Sequence, residues 1–305
     1  MKKAIAFAVV CGLAPSAHAE EADTLKLQGL RTIDTAERIL TAIERMGMYA
    51  CHVTAGLEDD NPTQKLLSEV EAYESSIRAL REGDNVADIP ALRAPAAVEA
   101  LSWLEEVSPF VINYARYASN GEFGPAYLNA MHDEHDKVVY AAEGLVEEIG
   151  RAFMHGRMSL LETSTLDNLG HLRAESDLLD AEYCMVLTGT NGVRDEMAAT
   201  LADFDRRLTL AEAGSMDEKI LPPSPALAGA LRCIRSEFEI VSGMLSPYVS
   251  GETSPTLEEL REVNGHAHTL EHRSHAAMEL FEGEIAAGEP ADPITCDDLD
   301  RTAAL

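Results

Sequence analysis

Two stretches of this chain are punctuated alike, and that repetition limits the fold more than any other feature. Helix-breaking clusters fall at 58–62, 83–95, 119–121 and around Gly156, and a matching series returns at 188–192, 214–225 and 250–255, before a proline-containing tail from Gly288. Individual residues repeat as well. Cys51 precedes Gly56 as Cys184 precedes Gly189, and Tyr73 precedes Gly83 as Phe204 precedes Gly214. Ser108-Pro109-Phe110 has its counterpart in Ser246-Pro247-Tyr248, and Asn129 with Ala141-Ala142 is matched by Asn264 with Ala276-Ala277. No stretch alternates with period two long enough to be a strand. The reading is an all-α protein of two tandem four-helix bundle modules, 24–157 and 158–287, flanked by a leader at 1–19 and a tail at 288–305.

The first helix shows the packing logic. Ile33, Ala36, Leu40, Ile43, Gly47, Ala50, Thr54 and Leu57 follow the 3-4-3-4 spacing of a bundle seam, widened by Ile39, Met46 and Val53. Pro109 and Pro247 each remove a backbone donor, so kinks are predicted at both places.

The leader reads as a signal peptide. Lys2 and Lys3 form the basic start, residues 4–13 the apolar run and Ala17-His18-Ala19 the cleavage site, which predicts a periplasmic protein with no membrane span after cleavage. Its removal leaves 22 of the 24 basic residues against 53 acidic ones and takes the formal charge from −29 to −31. Such a field repels phosphate backbones, so no nucleic acid is expected as partner. The remaining cysteines, Cys51, Cys184, Cys233 and Cys296, are even in number in an oxidising compartment. Two disulfides are therefore expected, in any of three pairings.

Helix 1, with Glu37-Arg38-Ile39-Leu40-Thr41, and an acidic helix 2 running from Tyr73 through Ser75-Ser76-Ile77 to Gly83 together resemble the PilJ-type N-terminal sensory domain of type IV pilus chemotaxis transducers. That domain is similar to the periplasmic part of NarX-type nitrate/nitrite sensors. The resemblance covers nearly all of both repeats and implies a small ligand such as nitrate or nitrite and a membrane sensor, transducer or transporter as partner. The family's first arginine falls on Arg38, and its second would fall on Ile43. In the second repeat His171 stands at the place of Arg38, or Arg173 after a two-residue shift.

Arg31, Arg38, Arg45 and His52 recur every seven residues, a basic line predicted to lie away from the apolar seam. An arginine fork matches a planar oxyanion through two charge-assisted hydrogen bonds, which makes Arg38 the first candidate contact and Arg45 and Arg31 the next. Local pairing, such as Asp34 with Arg38, is the competing account. On the last helix, His268 and His272 at i,i+4 with His275 beyond form an alternative metal set. There, with His266, the apolar positions predict that the histidines face outward. His132 and His135 align with Ala267 and Leu270, so His135 is expected to point inward and to bond a carboxylate or tyrosine. Met46, Met48, Met154 and Met158 read as core fillers. The chain carries no phosphate loop, nucleophile elbow or paired Glu-x-x-His motif, so neither an enzyme nor a cofactor is expected. A structural pilus or envelope module without a small ligand is the remaining alternative.

Overall fold

A computed structural model describes residues 16–57, 61–121, 124–154, 158–251 and 253–302. The basic and apolar parts of the predicted leader lie outside these, as do the predicted breaks at 58–60 and around Gly156. Among the described residues there are ten α-helices: α1 (Ser16–Ala55), α2 (Pro62–Glu82), α3 (Pro95–Val107), α4 (Pro109–Ser119), α5 (Pro125–Met154), α6 (Leu160–Thr188), α7 (Val193–Ala213), α8 (Pro225–Val249), α9 (Leu257–Ala287) and α10 (Cys296–Thr302). The fold is all-α. Pairing of extended backbone among the described residues is confined to single bridges, Asp84 with Ile89 and Ser215 with Ile220. No described helix is long and apolar enough to cross a membrane.

Local chemistry accounts for the helix ends. Ser159 with Glu162 and Thr256 with Glu259 form capping boxes that start α6 and α9. Prolines open α2, α3, α4, α5 and α8, where the missing donor costs nothing. Gly214 ends α7 at a φ of 70°, and a β-carbon there would stand 2.7 Å from Pro222, so both conformation and space demand glycine. The two predicted proline kinks differ in outcome. At Pro109 the helix divides into α3 and α4 through Ser108, whose backbone stays helical, whereas α8 continues through Pro247.

Helices α1 and α6 occupy the middle. α1 packs on α2, α4, α5 and α6, and α6 packs on α7, α9 and α1, with α8 closing against α7 and α9. The predicted seam of α1 is buried at Ile33, Ala36, Leu40, Ile43 and Ala50. The side expected to face away from it is solvated only in part: Arg31 and Arg38 stay exposed, but Thr32, Glu37, Thr41, Glu44 and His52 are buried, because α6 and its neighbours cover them. The pair runs parallel, since Cys51 is bonded to Cys184, Arg45 lies on Asp177, and Glu37 faces Gly170. Met46, Met48 and Met158 are core residues as expected, while the side chain of Met154 lies outside the described residues.

Both expected disulfides form. Cys51–Cys184 joins α1 to α6, and Cys233–Cys296 ties α10 to α8. The predicted tail thus contains a short docked helix, which the paired hydrogen bonds of Arg273 to Asp300 hold from the α9 side.

Candidate functional site: a buried charged layer between the central helices

The four basic residues of α1 pass from solvent into the core along its length. Arg31 is half exposed and holds Asp88 at 2.7 Å, and Arg38, 60% exposed, holds Asp34 at 3.0 Å one turn back. Arg45 is largely enclosed at the junction of α1, α2, α6 and α9. Its Nε donates to Asp177 at 2.8 Å, one terminal nitrogen lies 2.7 Å from Glu271, and the other stands 3.8 Å from Glu69, beyond hydrogen-bond range. His52 is fully buried, with Nε2 3.3 Å from Asp180 Oδ2, an oxygen that accepts a hydrogen bond from Asn264 at 2.7 Å. The predicted line therefore exists as a register, but its members do not share one surface.

Asp177 and Glu271 divide the influence of Arg45 unequally. Burial pushes the Asp177 carboxyl up to about 7 despite the guanidinium beside it. Burial opposes ionisation of Glu271 as well, yet Arg45 and Arg173 together hold it below the usual carboxylate range. Arg173 donates Nε to Glu271 at 3.0 Å, and its terminal nitrogen NH1 is buried without a hydrogen-bond partner. Beside Arg45 opens a cavity of about 550 Å³, also lined by Lys65, Glu69, Asp177, Asp180 and Asn264. Neither Arg31 nor Arg38 lines it.

Further carboxyls fill the layer. Glu37 is pushed well above its ordinary range by burial and then by Asp167. Glu182, raised by burial, accepts from Thr200 at 2.8 Å, and Glu175, raised to about 8, accepts from Arg207 at 2.8 Å. His135 points inward as expected: its Nε2 is 3.2 Å from Glu44, and although burial works against its charge, Glu44 and Asp136 together raise the imidazole above its normal range. His132 lies 2.9 Å from Glu196, and His171 sits 3.8 Å from Glu143, pushed down to about 3 by burial and by Arg207.

No protein-family model matches the chain, and comparison with curated proteins and with solved structures finds none similar to it.

The histidines of α9 are not gathered around one point. The rings of His268 and His272 lie 6.4 Å apart, and His266 pairs with Glu237 at 2.7 Å. His275 departs from the outward prediction. It is only 25% exposed, bonds Glu279, and is pushed down to about 4 by burial and the nearby Arg173. Among the described residues no group of three or more His, Cys, Asp or Glu is arranged to hold a metal ion.

Sequence reasoning missed Asp177, Asp180 and Glu271, the partners that define the layer. One signal was present. With Cys184 matched to Cys51, Asp177 falls opposite Glu44, one residue before Arg45, so a parallel pairing of the two first helices would have brought the charges together.

Proposed function

We propose that this is an exported, periplasmic ligand-binding sensory protein of two tandem PilJ-like four-helix modules. It recognises a small oxyanion such as nitrate or nitrite at Arg45 and relays occupancy to a membrane sensor, transducer or transporter. The observation that carries the reading is Arg45 itself, held by two carboxylates on α6 and α9 while it borders an accessible cavity. Burying such a charge cluster costs more than an apolar packing of the same volume, so its presence at a helix junction favours a ligand or switching role over a purely structural one. Arg45 is the primary contact in this reading. Arg38 and Arg31, engaged by Asp34 and Asp88 outside the cavity, do not touch the anion in it.

An anion approaching Arg45 meets Asp177, Asp180 and Glu69 on the same wall. Because the Asp177 carboxyl sits at about 7, the anion enters together with a proton on that group, and affinity rises as pH falls through neutrality. Loosening Arg45 from Asp177 or Glu271 frees α1 from α6 or α9, which is the relay. Titration calorimetry with nitrate and nitrite tests this. Saturable binding that Arg45→Ala abolishes and Arg38→Ala leaves unchanged is the expected result. Absence of saturable heat in the wild type, or unchanged affinity in Arg45→Ala, overturns it.

A further inference from the structure

A second cleft, of about 690 Å³, opens on another side of the central pair, among α3, α5, α6 and α7. Its size is that of a small-molecule site. Comparing the two halves of the molecule shows why it is open. The turns after α2 and α7 are built alike: each carries one bridge, and each places its fifth turn residue in the left-handed region, Asp88 at a φ of 56° and Lys219 at 61°. In the first half Asp88 latches that turn to α1, accepting from Gln28 at 2.9 Å and Arg31 at 2.7 Å. In the second half the residue matching Arg31 is Ser164, counted by the same interval that separates Cys51 from Cys184. Lys219 replaces the aspartate, and both Ser164 and Lys219 line the cleft. The carboxylate that closes the first latch is missing from the second, and Lys219 pairs with no carboxylate among the described residues.

The facing wall is aromatic. Trp103 and Tyr140 meet edge to face at 5.7 Å between ring centroids, and they stay 36% and 68% exposed. In a chain with 5% aromatic residues, such a pair left open above a cleft offers a flat ring its best contact. Glu143, Glu147 and Asp167 also border the cleft; burial raises Glu143 and Asp167, the Arg207 cation on the same wall offsets them, and Glu147 is paired with Arg151.

The geometry points to a binding site for an aromatic carboxylic acid: its ring lies against Trp103 and Tyr140, and its carboxylate takes the place of Asp88 by accepting from the Lys219 ammonium and the Ser164 hydroxyl. The site is independent of Arg45, which lines a different cavity.

Trp103 is the single tryptophan, so its fluorescence reports this cleft alone. Benzoate is the probe. It should change the emission saturably with a Kd on the order of 1 mM, and benzyl alcohol, the ring without the charge, should bind about tenfold more weakly. Lys219→Asn, which tolerates the left-handed backbone, should weaken benzoate about tenfold. No saturation by about 20 mM benzoate, equal binding of benzyl alcohol, or an unaltered affinity in Lys219→Asn overturns the proposal. The benzyl alcohol comparison needs no variant.

Discussion

Gly170 and Glu37 show how tightly single residues are specified at the centre of this molecule. A β-carbon at Gly170 would stand 2.6 Å from Oε2 of Glu37, and that carboxyl is itself buried. The Gly170→Ala variant should therefore lose about 1–3 kcal/mol despite the better helix propensity of alanine, read as a lower urea midpoint. The same change made in a Glu37→Ala background should cost clearly less, since the clashing atoms are gone. Nothing local in the sequence marks Gly170 for this role, because its constraint comes from Glu37 on α1, far away along the chain. His135 was legible for the opposite reason: its alignment with Leu270 already put it on a core position, and only the identity of its partner, Glu44, needed the structure.

For the helices, the punctuation and the 3-4-3-4 seam were sufficient to locate α1, α2 and their counterparts, since caps, prolines and apolar spacing act within a few residues. The far side of α1 was not readable in that way. A helical register records which residues share a face and says nothing of what covers it, and here the covering element is α6, whose own acids Asp177 and Asp180 receive Arg45 and His52. The Cys51–Cys184 bond joins two helices 133 residues apart in sequence, so removing it frees a long loop in the unfolded chain. The Cys51→Ser, Cys184→Ser double variant should lose about 2–5 kcal/mol, measured by denaturant unfolding. Removing Cys233–Cys296, which closes a separation of 63 residues and ties down one short helix, should cost less.

Across the whole molecule, buried carboxyls make stability depend on pH in an unusual direction. Glu37, Glu175, Asp177, Glu182 and Glu282 all titrate above their ordinary range, each chiefly through burial. A group whose folded pKa is raised stabilises fully below its unfolded pKa and loses that contribution as pH rises through the folded value. His135, raised by Glu44, acts in the same sense. His171 and His275, pushed down to about 3 and about 4, act in the opposite sense, since they favour the fold above the ordinary histidine range. The carboxyls outnumber them, so the thermal midpoint should fall between about pH 5 and pH 8. Thermal melts across that range check the sign, and a midpoint that climbs would mean the carboxyls are solvated in the folded protein.

The position of the Cys51–Cys184 bond also sets the mechanics of the central pair. Two parallel rods fastened near one end have that end as their fulcrum. At 1.5 Å of rise per residue, Arg45 sits about 9 Å from the fastening and Leu30 about 31 Å from it. Toward the far ends the pair is joined noncovalently, in part by the half-buried ion pair of Lys26 with Glu162 at 3.7 Å. A shift of about 0.5 Å beside Arg45 becomes a swing of about 1.7 Å at the level of Leu30, so the covalent bond makes α1 and α6 a lever whose long arm points toward the amino-terminal end of the helices.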